Sequence, residues 1–239
     1  MAVREILQLG DPRLREKCAR VEEPGTAEVA ALIDDMRDTL AHWRKTTGYG
    51  RGIAAPQLGV MKRVIFLKLP FGQPSAGAQG KPYGEPRAGA QGQPYGEPRA
   101  GAQGQPYGEP RAGAQGKSGW SESHKAFSEG LALINPEIVE RSDEEIVVWD
   151  ACLSFLCIFM QVERHKEITV RYQGANGDWQ EIRAGVEQDL SELLQHEIDH
   201  LDGVLCIDRV KDVRTICTKD EFEKRYRMES PYAEKYSGE

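Results

Sequence analysis

A strict repeat of twelve residues divides the chain and limits what can form its folded part. The unit AGAQGKPYGEPR begins at Ala76 and recurs until a truncated copy ends at Lys117. These residues include no Val, Ile, Leu, Phe or Met. They therefore cannot bury enough apolar surface to offset the entropy of ordering. Repeats that stack into solenoids have a buried hydrophobic position in every unit, and here only one tyrosine per unit qualifies.

We therefore predict one domain in two parts, residues 1–72 and 127–239, interrupted by a disordered insert over residues 73–126. The net charge of −7 argues against bulk binding to nucleic acid, so we expect no DNA partner. No apolar run is long enough to span a membrane, and we expect no membrane association. The first residues do not resemble a secretory leader, and five cysteines form no disulfide framework, so we expect a cytoplasmic protein.

The spacing of hydrophobic residues predicts helices and strands in both parts of the domain. Helices are predicted at residues 26–44 and 187–201, where apolar residues recur every three or four positions. A short final helix is predicted at residues 220–227 in the polar C-terminal part of the chain. Strands are predicted at residues 64–69, 131–134, 146–149, 168–172 and 179–182. Strand 131–134 is predicted to end at an Asn-Pro pair, and strands 168–172 and 179–182 are predicted to form a hairpin. Strands in the middle with helices at both ends predict an α+β fold.

The segment from Gln195 to Gly203 reads QHEIDHLDG and is the most informative motif. On a helix, His196 and His200 project from the same face, so both imidazoles can bind one metal ion. Glu197 follows the first histidine and can act as a general base for a water molecule beside that ion. The same pattern also occurs on helices without metal, where the histidines pack at an interface.

A divalent ion needs at least one more protein ligand, and a cysteine thiolate is the strongest candidate. Cys152 follows the apolar run of residues 146–149 and would face the helix from the edge of a core strand. Cys157 is also close, although it reads equally well as a small core residue. Cys206 follows the helix so closely in sequence that we do not expect it to fold back.

A loop rich in glycine and alanine, GRGIAAPQLG, runs from Gly50 to Gly59. Its small residues let the backbone approach another chain or a ligand closely. Gln57 follows a proline and is well placed to present its amide from a fixed position. Taken alone, this segment also reads as a simple connection between a helix and a strand.

In this order, the three motifs resemble those of the peptide deformylases, namely the glycine loop, the EGCLS segment and the HExxHLDG helix. They stand here at residues 50–57, 150–154 and 196–203, and the resemblance extends from about residue 4 to about residue 212. It implies small mixed or antiparallel sheets packed around a central helix that bears HExxH, with an N-terminal and a C-terminal helix. It also implies a hydrolase that removes the formyl group from N-formylmethionyl ends of new polypeptides and releases formate.

The resemblance implies a metal site formed by Cys152, His196 and His200, with a water molecule as the fourth ligand. Glu197 would take the proton of the water that attacks the formyl carbon. The implied cofactor is one divalent ion, Fe²⁺ first, with Zn²⁺, Ni²⁺ and Co²⁺ as alternatives.

The family match assigns stabilisation of the developing oxyanion to the Gln57 amide and the backbone N–H of Leu153. It assigns substrate binding to the backbone of Gly52 and to Gly50, along which the peptide would lie like an adjacent strand. The implied partners are N-formylmethionyl polypeptides and, transiently, the ribosome.

Several positions depart from the family pattern. EGCLS appears here as Asp150-Ala151 followed by CLS, and Arg164 stands where it can pair with Asp150. Phe159 corresponds to a basic residue that many members use to hold the substrate backbone, and Arg51 stands where an apolar residue is common. We expect these changes to affect substrate preference more than chemistry.

Two other functions compete with deformylation. HExxH with a bound water also serves metallopeptidases, although a cysteine ligand is unusual there. The other alternative is a binding module, in which the enzyme fold has become a scaffold and the tyrosines of the repeats contact a partner.

Overall fold

The computed structural model describes residues 2–68, 130–185 and 190–227, so the predicted insert lies outside the described residues. Its helices are α1 (Ala27–Thr47), α2 (Ser191–Leu201) and α3 (Lys219–Arg225). Its strands are β1 (Gly52–Ala54), β2 (Val64–Leu67), β3 (Leu131–Arg141), β4 (Glu145–Asp150), β5 (Ile158–His165), β6 (Glu167–Gln173), β7 (Trp179–Gly185) and β8 (Cys217–Thr218). None of these helices is both long and apolar enough to cross a membrane.

The strands form two sheets, which confirms the predicted α+β class. One sheet has the order β1-β2-β3-β6-β7 and the other has the order β4-β5-β8. Every strand pairing in the described ranges is antiparallel. The predicted hairpin is the β6–β7 pair, in which Gln173 lies opposite Trp179 across a turn that includes Gly177 at φ +84°.

Helix α1 packs on one face of the five-stranded sheet and follows its sequence signals. The Thr26 side chain caps its first turn by accepting a hydrogen bond from the Val29 backbone N–H. Gly48, at φ +76°, ends it in the left-handed conformation that favours glycine. Met36 and Leu40 are fully buried on its inner side. One amphipathic stripe and two caps therefore account for this helix.

Helix α2 lies against the opposite face of the same sheet. Leu194 and Ile198 pack with Ile65 and Leu67 of β2, whereas the alternate β2 residues face α1. Burying an aliphatic side chain of this size contributes about 1.5–3 kcal/mol to folding. The three-stranded sheet packs beyond α2 and contacts it through β5. The helix that bears the HExxH motif is therefore central to the domain.

Strand β3 is longer than predicted, because the Asn135-Pro136 pair does not end it. Asn135 adopts φ +52°, and the pairing of β3 with β6 shifts its register next to it. The Asn135 side chain exchanges hydrogen bonds with both backbone groups of Val21, at 2.8 Å each. These bonds fix the irregular position against the segment at Val21, and the strand continues beyond the register shift to Arg141.

Strand β5 was not predicted, because its first three residues continue the apolar run that precedes them and the residues after them are mostly polar. In the structure this strand lies between β4 and β8, and half of its residues are buried, alternating with half-buried ones from Met160 onward. The predicted C-terminal helix is α3, shorter by two residues at its end.

Candidate metal centre

Helix α2 places the two histidines and the glutamate of the motif in the interior. The ring centroids of His196 and His200 lie 4.9 Å apart, and both side chains are buried. Nε2 of His200 lies 3.2 Å from the Cys152 sulfur. One possible ligand atom from each of Cys152, His196 and His200 lies within 4.8 Å of the other two. The structure thus brings together the three side chains that the sequence predicts as metal ligands.

Cys152 reaches this position because β4 ends just before it. A single-turn 3-10 helix over residues 153–155 follows, and the Ser154 backbone N–H donates to the Cys152 sulfur. Cys157 is exposed and takes no part in the cluster, so its interpretation as a core residue was wrong. The turn reverses the chain directly after Cys152, and only the first of these two cysteines therefore faces α2.

Asp150 and Arg164 form the ion pair predicted from the sequence, with 2.8 Å between Nη2 and Oδ2. The sequence did not reveal two further contacts of this pair. Asp150 Oδ1 lies 2.9 Å from His196 Nδ1, and Arg164 Nη1 lies 2.6 Å from Asp199 Oδ2. Burial opposes the charge of Asp150, but His196 and Arg164 outweigh it and hold the pKa of this carboxyl well below its usual range. An ionised Asp150 fixes the orientation of the His196 ring.

Glu197 lies against the glycine loop. A Cβ atom at Gly52 would stand 2.5 Å from Glu197 Oε1, so only glycine leaves the carboxylate in place. Burial raises the pKa of Glu197 to about 7, although the charges of His196 and Arg51 act in the opposite direction. Such a pKa suits a group that gains and loses a proton near neutrality.

Gln57 lies beside Cys152 on a single-turn helix that follows β1. Its Oε1 accepts a hydrogen bond from the Ala54 backbone N–H at 2.9 Å. Its Nε2 donates to Ser154 Oγ at 3.2 Å and lies 3.5 Å from the Cys152 sulfur. Leu153 directly follows Cys152 in the chain, so both predicted donors belong to residues next to this cysteine.

Gly50 and the segment after Cys152 meet near helix α3. Gly50 adopts φ +117°, and a Cβ atom there would stand 3.7 Å from the Leu153 side chain. Phe159 is buried, and its ring stacks on that of Phe222 in α3, with 4.1 Å between centroids. Tyr49 packs edge-on against the same Phe159 ring. The aromatic residue at position 159 is thus explained by packing under α3.

Cys206 lies beside this cluster, which contradicts the expectation that it would not fold back. Its sulfur, an Asp150 oxygen and a His196 nitrogen lie within 4.8 Å of one another. The reversal happens at Gly203, which has φ +74° and no room for a Cβ atom because the Arg15 carbonyl oxygen would lie 2.5 Å away. A left-handed glycine directly after the helix turns the chain within a few residues, a change of direction that sequence distance alone does not show.

The donor set fits a divalent transition metal. A thiol sulfur and two imidazoles are the ligands that iron, zinc, nickel and cobalt accept in proteins. Burial lowers the pKa of His200 well below its ordinary value, which favours the neutral ring that can coordinate. At His196 the burial effect is outweighed by the Asp150 carboxylate, which raises the pKa of that ring well above its ordinary value. Glu197 Oε2 is buried without a hydrogen-bond partner among the described residues, which leaves an acceptor for a water molecule at this point. Cavities of about 470 and 510 Å³ open elsewhere, beside α1, and no predicted site residue lines them.

Comparison with known proteins agrees with this geometry. The family model described as polypeptide deformylase matches residues 3–83 and 108–215. A peptide deformylase of Thermomicrobium roseum is 32% identical over 216 residues, which are 90% of each chain. One of Bartonella tribocorum is 32% identical over 225 residues, or 94% of each chain.

Solved structures show the same relationship. The crystal structure of peptide deformylase from Thermotoga maritima has a TM-score of 0.58 at 26% identity and covers 89% of this chain and all of its own. That from Ehrlichia chaffeensis has a TM-score of 0.59 at 25% identity and covers 96% of this chain and 98% of its own. Because the family model matches most of the residues of this chain, the chain belongs to the polypeptide deformylase family, the metal-dependent hydrolases that remove the N-formyl group from newly made polypeptides.

Proposed function

We propose that Cys152, His196 and His200 hold the metal ion of this deformylase and that Glu197 is its general base. The observation that supports this most directly is the convergence of one sulfur and two imidazole nitrogens within 4.8 Å beside a buried carboxylate. One thiolate and two neutral imidazoles around a divalent ion give the site a formal charge of +1. The ion, when bound, lowers the pKa of a water molecule and polarises the formyl carbonyl.

In this proposal Glu197 moves a proton twice. Its carboxylate takes the proton from the attacking water and then delivers it to the departing amide nitrogen, so that formate leaves. The raised pKa of Glu197, about 7, matches both tasks, since the group is neither too weak a base nor too weak an acid. Gly52 keeps the space that this carboxylate occupies.

Gln57 and Leu153 stabilise the negative charge that develops on the formyl oxygen. The Ala54 backbone N–H holds the Gln57 amide through its oxygen and Ser154 Oγ holds it through its nitrogen, so the amide is oriented before substrate binds. The Leu153 backbone N–H begins the turn after Cys152. Gly50 and Gly52 bind the peptide backbone of the substrate, which lies along the edge of β1 like an added strand.

We further propose Fe²⁺ as the native ion, with Zn²⁺, Ni²⁺ and Co²⁺ as ions that the same ligands accept. The substrates are polypeptides with an N-formylmethionyl end, and the enzyme acts in the cytoplasm through transient contact with the ribosome. We propose no DNA partner and no membrane association. The acidic net charge of −7 supports the absence of a nucleic-acid surface.

The decisive experiment is formate release from formyl-Met-Ala-Ser by the purified full chain, with the bound metal identified in the same preparation. We expect stoichiometric metal and turnover that a chelator abolishes and added Fe²⁺ restores. A matched peptide without the formyl group should remain intact, which separates a deformylase from a metallopeptidase. Metal-independent turnover, or cleavage of the unformylated peptide, would contradict the proposal.

The ligand assignment has its own test, because the chain offers a matched pair of cysteines. Cys152→Ala should lose most of the bound metal and nearly all formate release, since two histidines alone bind a divalent ion weakly. Cys157→Ala should retain both, because that side chain is exposed and is not one of the clustered ligands. Metal retention in Cys152→Ala together with loss in Cys157→Ala would exchange the two assignments.

A further inference from the structure

Arg51 and Glu192 form an ion pair beside the proposed centre, and no step of the proposed reaction uses it. Arg51 Nη1 lies 2.8 Å from Glu192 Oε1. Arg51 stands between Gly50 and Gly52 in the glycine loop. Glu192 lies one helical turn before His196 on α2, on the same side of the helix. The pair therefore joins the loop to the helix at the edge of the proposed substrate path.

The two partners are unequally buried. Glu192 is 5% exposed, and its Oε2 has no hydrogen-bond partner among the described residues. The Arg51 side chain keeps 21% of its surface exposed. A buried pair with one carboxylate oxygen left unpaired is a poor source of stability, because desolvation costs about as much as the attraction returns. The guanidinium is the more exposed group of the pair and is therefore the one that a ligand can reach.

The position of Arg51 defines which part of a substrate it would meet. This step rests on the proposed function, in which the substrate backbone lies beside Gly52. If the formylmethionyl residue lies opposite Gly52, the next residue of the substrate lies opposite Arg51. Side chains of directly opposed residues in paired strands are about 5 Å apart, and opposite charges there attract.

We propose that Arg51 binds a carboxylate on the second residue of the N-formylmethionyl substrate and that Glu192 orients its guanidinium. Arg51 offers five N–H donors in a planar fork that matches a carboxylate. Glu192 engages Nη1 and thereby restricts the rotation of this long side chain. Arg51 is thus a specificity-determining residue, and Glu192 is a positioning residue.

The wild-type enzyme alone provides the first test. We expect kcat/KM for formyl-Met-Glu-Ser amide to exceed that for formyl-Met-Gln-Ser amide by about tenfold, the scale of a hydrogen bond to a charged group. The corresponding lysine peptide should be the poorest of the three. The difference should lie in KM and should shrink at high salt, as expected for a partly exposed charge pair. Equal kcat/KM for the glutamate and glutamine peptides would overturn the proposal.

Variants then assign the preference to the two residues. Arg51→Gln should abolish the glutamate preference, whereas Glu192→Gln should reduce it through KM while leaving the guanidinium in place. Arg183→Gln is the matched control, because Arg183 is exposed and pairs with Glu167 away from the site. An Arg51→Gln enzyme that keeps the preference would overturn the proposal. Absence of formate release from all three peptides in the wild type would instead contradict the proposed function.

Discussion

Helices α1 and α2 pack on opposite faces of the same sheet, yet they differ in how they are stabilised. Helix α1 has 21 residues, a polar outer side and capping residues at both ends. Helix α2 has 11 residues, all of them buried, and no side chain caps its N-terminus. Buried polar groups are costly without hydrogen bonds, so the polar residues of α2 depend on partners from other elements more than those of α1 do.

Those partners come from distant parts of the chain. Gln195 bonds with both backbone groups of His165, and Asp199 pairs with Arg164. Asp150 contacts His196. Amphipathic packing therefore suffices for a helix that faces solvent, whereas several polar side chains of the buried helix are held by hydrogen bonds from other elements. The predictions that follow test this contrast, from the largest expected effect to the smallest.

The largest effect is expected at Glu197, a polar residue of α2 that we propose acts in the reaction and does not stabilise the helix. Glu197→Gln should lower kcat by about two to four orders of magnitude, the range for loss of a general base. Metal content and the free energy of unfolding should be retained, because the amide has nearly the same shape. Formate release, metal analysis and urea unfolding measure the three quantities. Glu167→Gln, an exposed substitution on β6, serves as control, and near-normal turnover in Glu197→Gln would remove the residue from the mechanism.

Arg164 tests whether the network holds α2 in place. Arg164 is 2% exposed, and its side chain pairs with both Asp150 and Asp199. Arg164→Leu would leave two buried carboxylates without this partner, and we expect a loss of about 3–5 kcal/mol in the free energy of unfolding. Urea unfolding measures the loss.

The control for this variant is Arg183→Leu, which removes an exposed arginine. Its effect should stay within about 0.5 kcal/mol, as is usual for surface substitutions. If both variants lost the same small amount, the buried network would not be what stabilises α2.

Met36 tests the other side of the comparison. It is fully buried in α1, and Met36→Ala should cost about 2–5 kcal/mol through lost burial and a cavity. Because α1 bears no proposed ligand, the folded fraction should still bind one metal ion per chain. Lys45→Ala, on the exposed side of the same helix, should change stability little. Loss of metal from folded Met36→Ala would show that α1 and the metal centre are coupled.

The smallest effect is expected where neither helix is changed, in the predicted insert. Leu67 and Leu131 lie opposite each other in β2 and β3, so the chain leaves and re-enters the sheet at neighbouring positions. Loop-closure entropy grows only logarithmically with length, and deletion of residues 76–117 should alter stability by about 1–2 kcal/mol. We expect formate release and metal content to be unchanged.

Limited proteolysis of the full chain complements that deletion. If the insert is disordered as its composition predicts, trypsin should cut first at Arg87, Arg99 or Arg111. Resistance at these sites, or a clear fall in kcat/KM after the deletion, would indicate that the tyrosines of the repeats dock on the domain or on a partner. Either outcome leaves the proposed metal ligands unaffected.

Local signals in the sequence were sufficient for much of this protein. The amphipathic period and the Thr26 and Gly48 caps define α1, because all of these interactions join residues within a few positions of one another. The HExxH spacing places two imidazoles on one face for the same reason. The order of the three motifs identified the family, and the ion pair of Asp150 with Arg164 could be predicted from two positions.

The contacts that surround the site depend on tertiary structure. Hydrophobic spacing alone leaves both Cys152 and Cys157 as possible ligands, and only the family motif separated them. Nothing in the local sequence shows that Cys206 returns to the cluster. Nor does it show that Asp150 supports His196, or that Arg51 meets Glu192. These residues lie far apart in the chain, and their contacts depend on strand register and on the direction of two tight turns. Short-range spacing determines which face of a helix a side chain occupies, whereas its partner across the core is set by how the two sheets pack around α2.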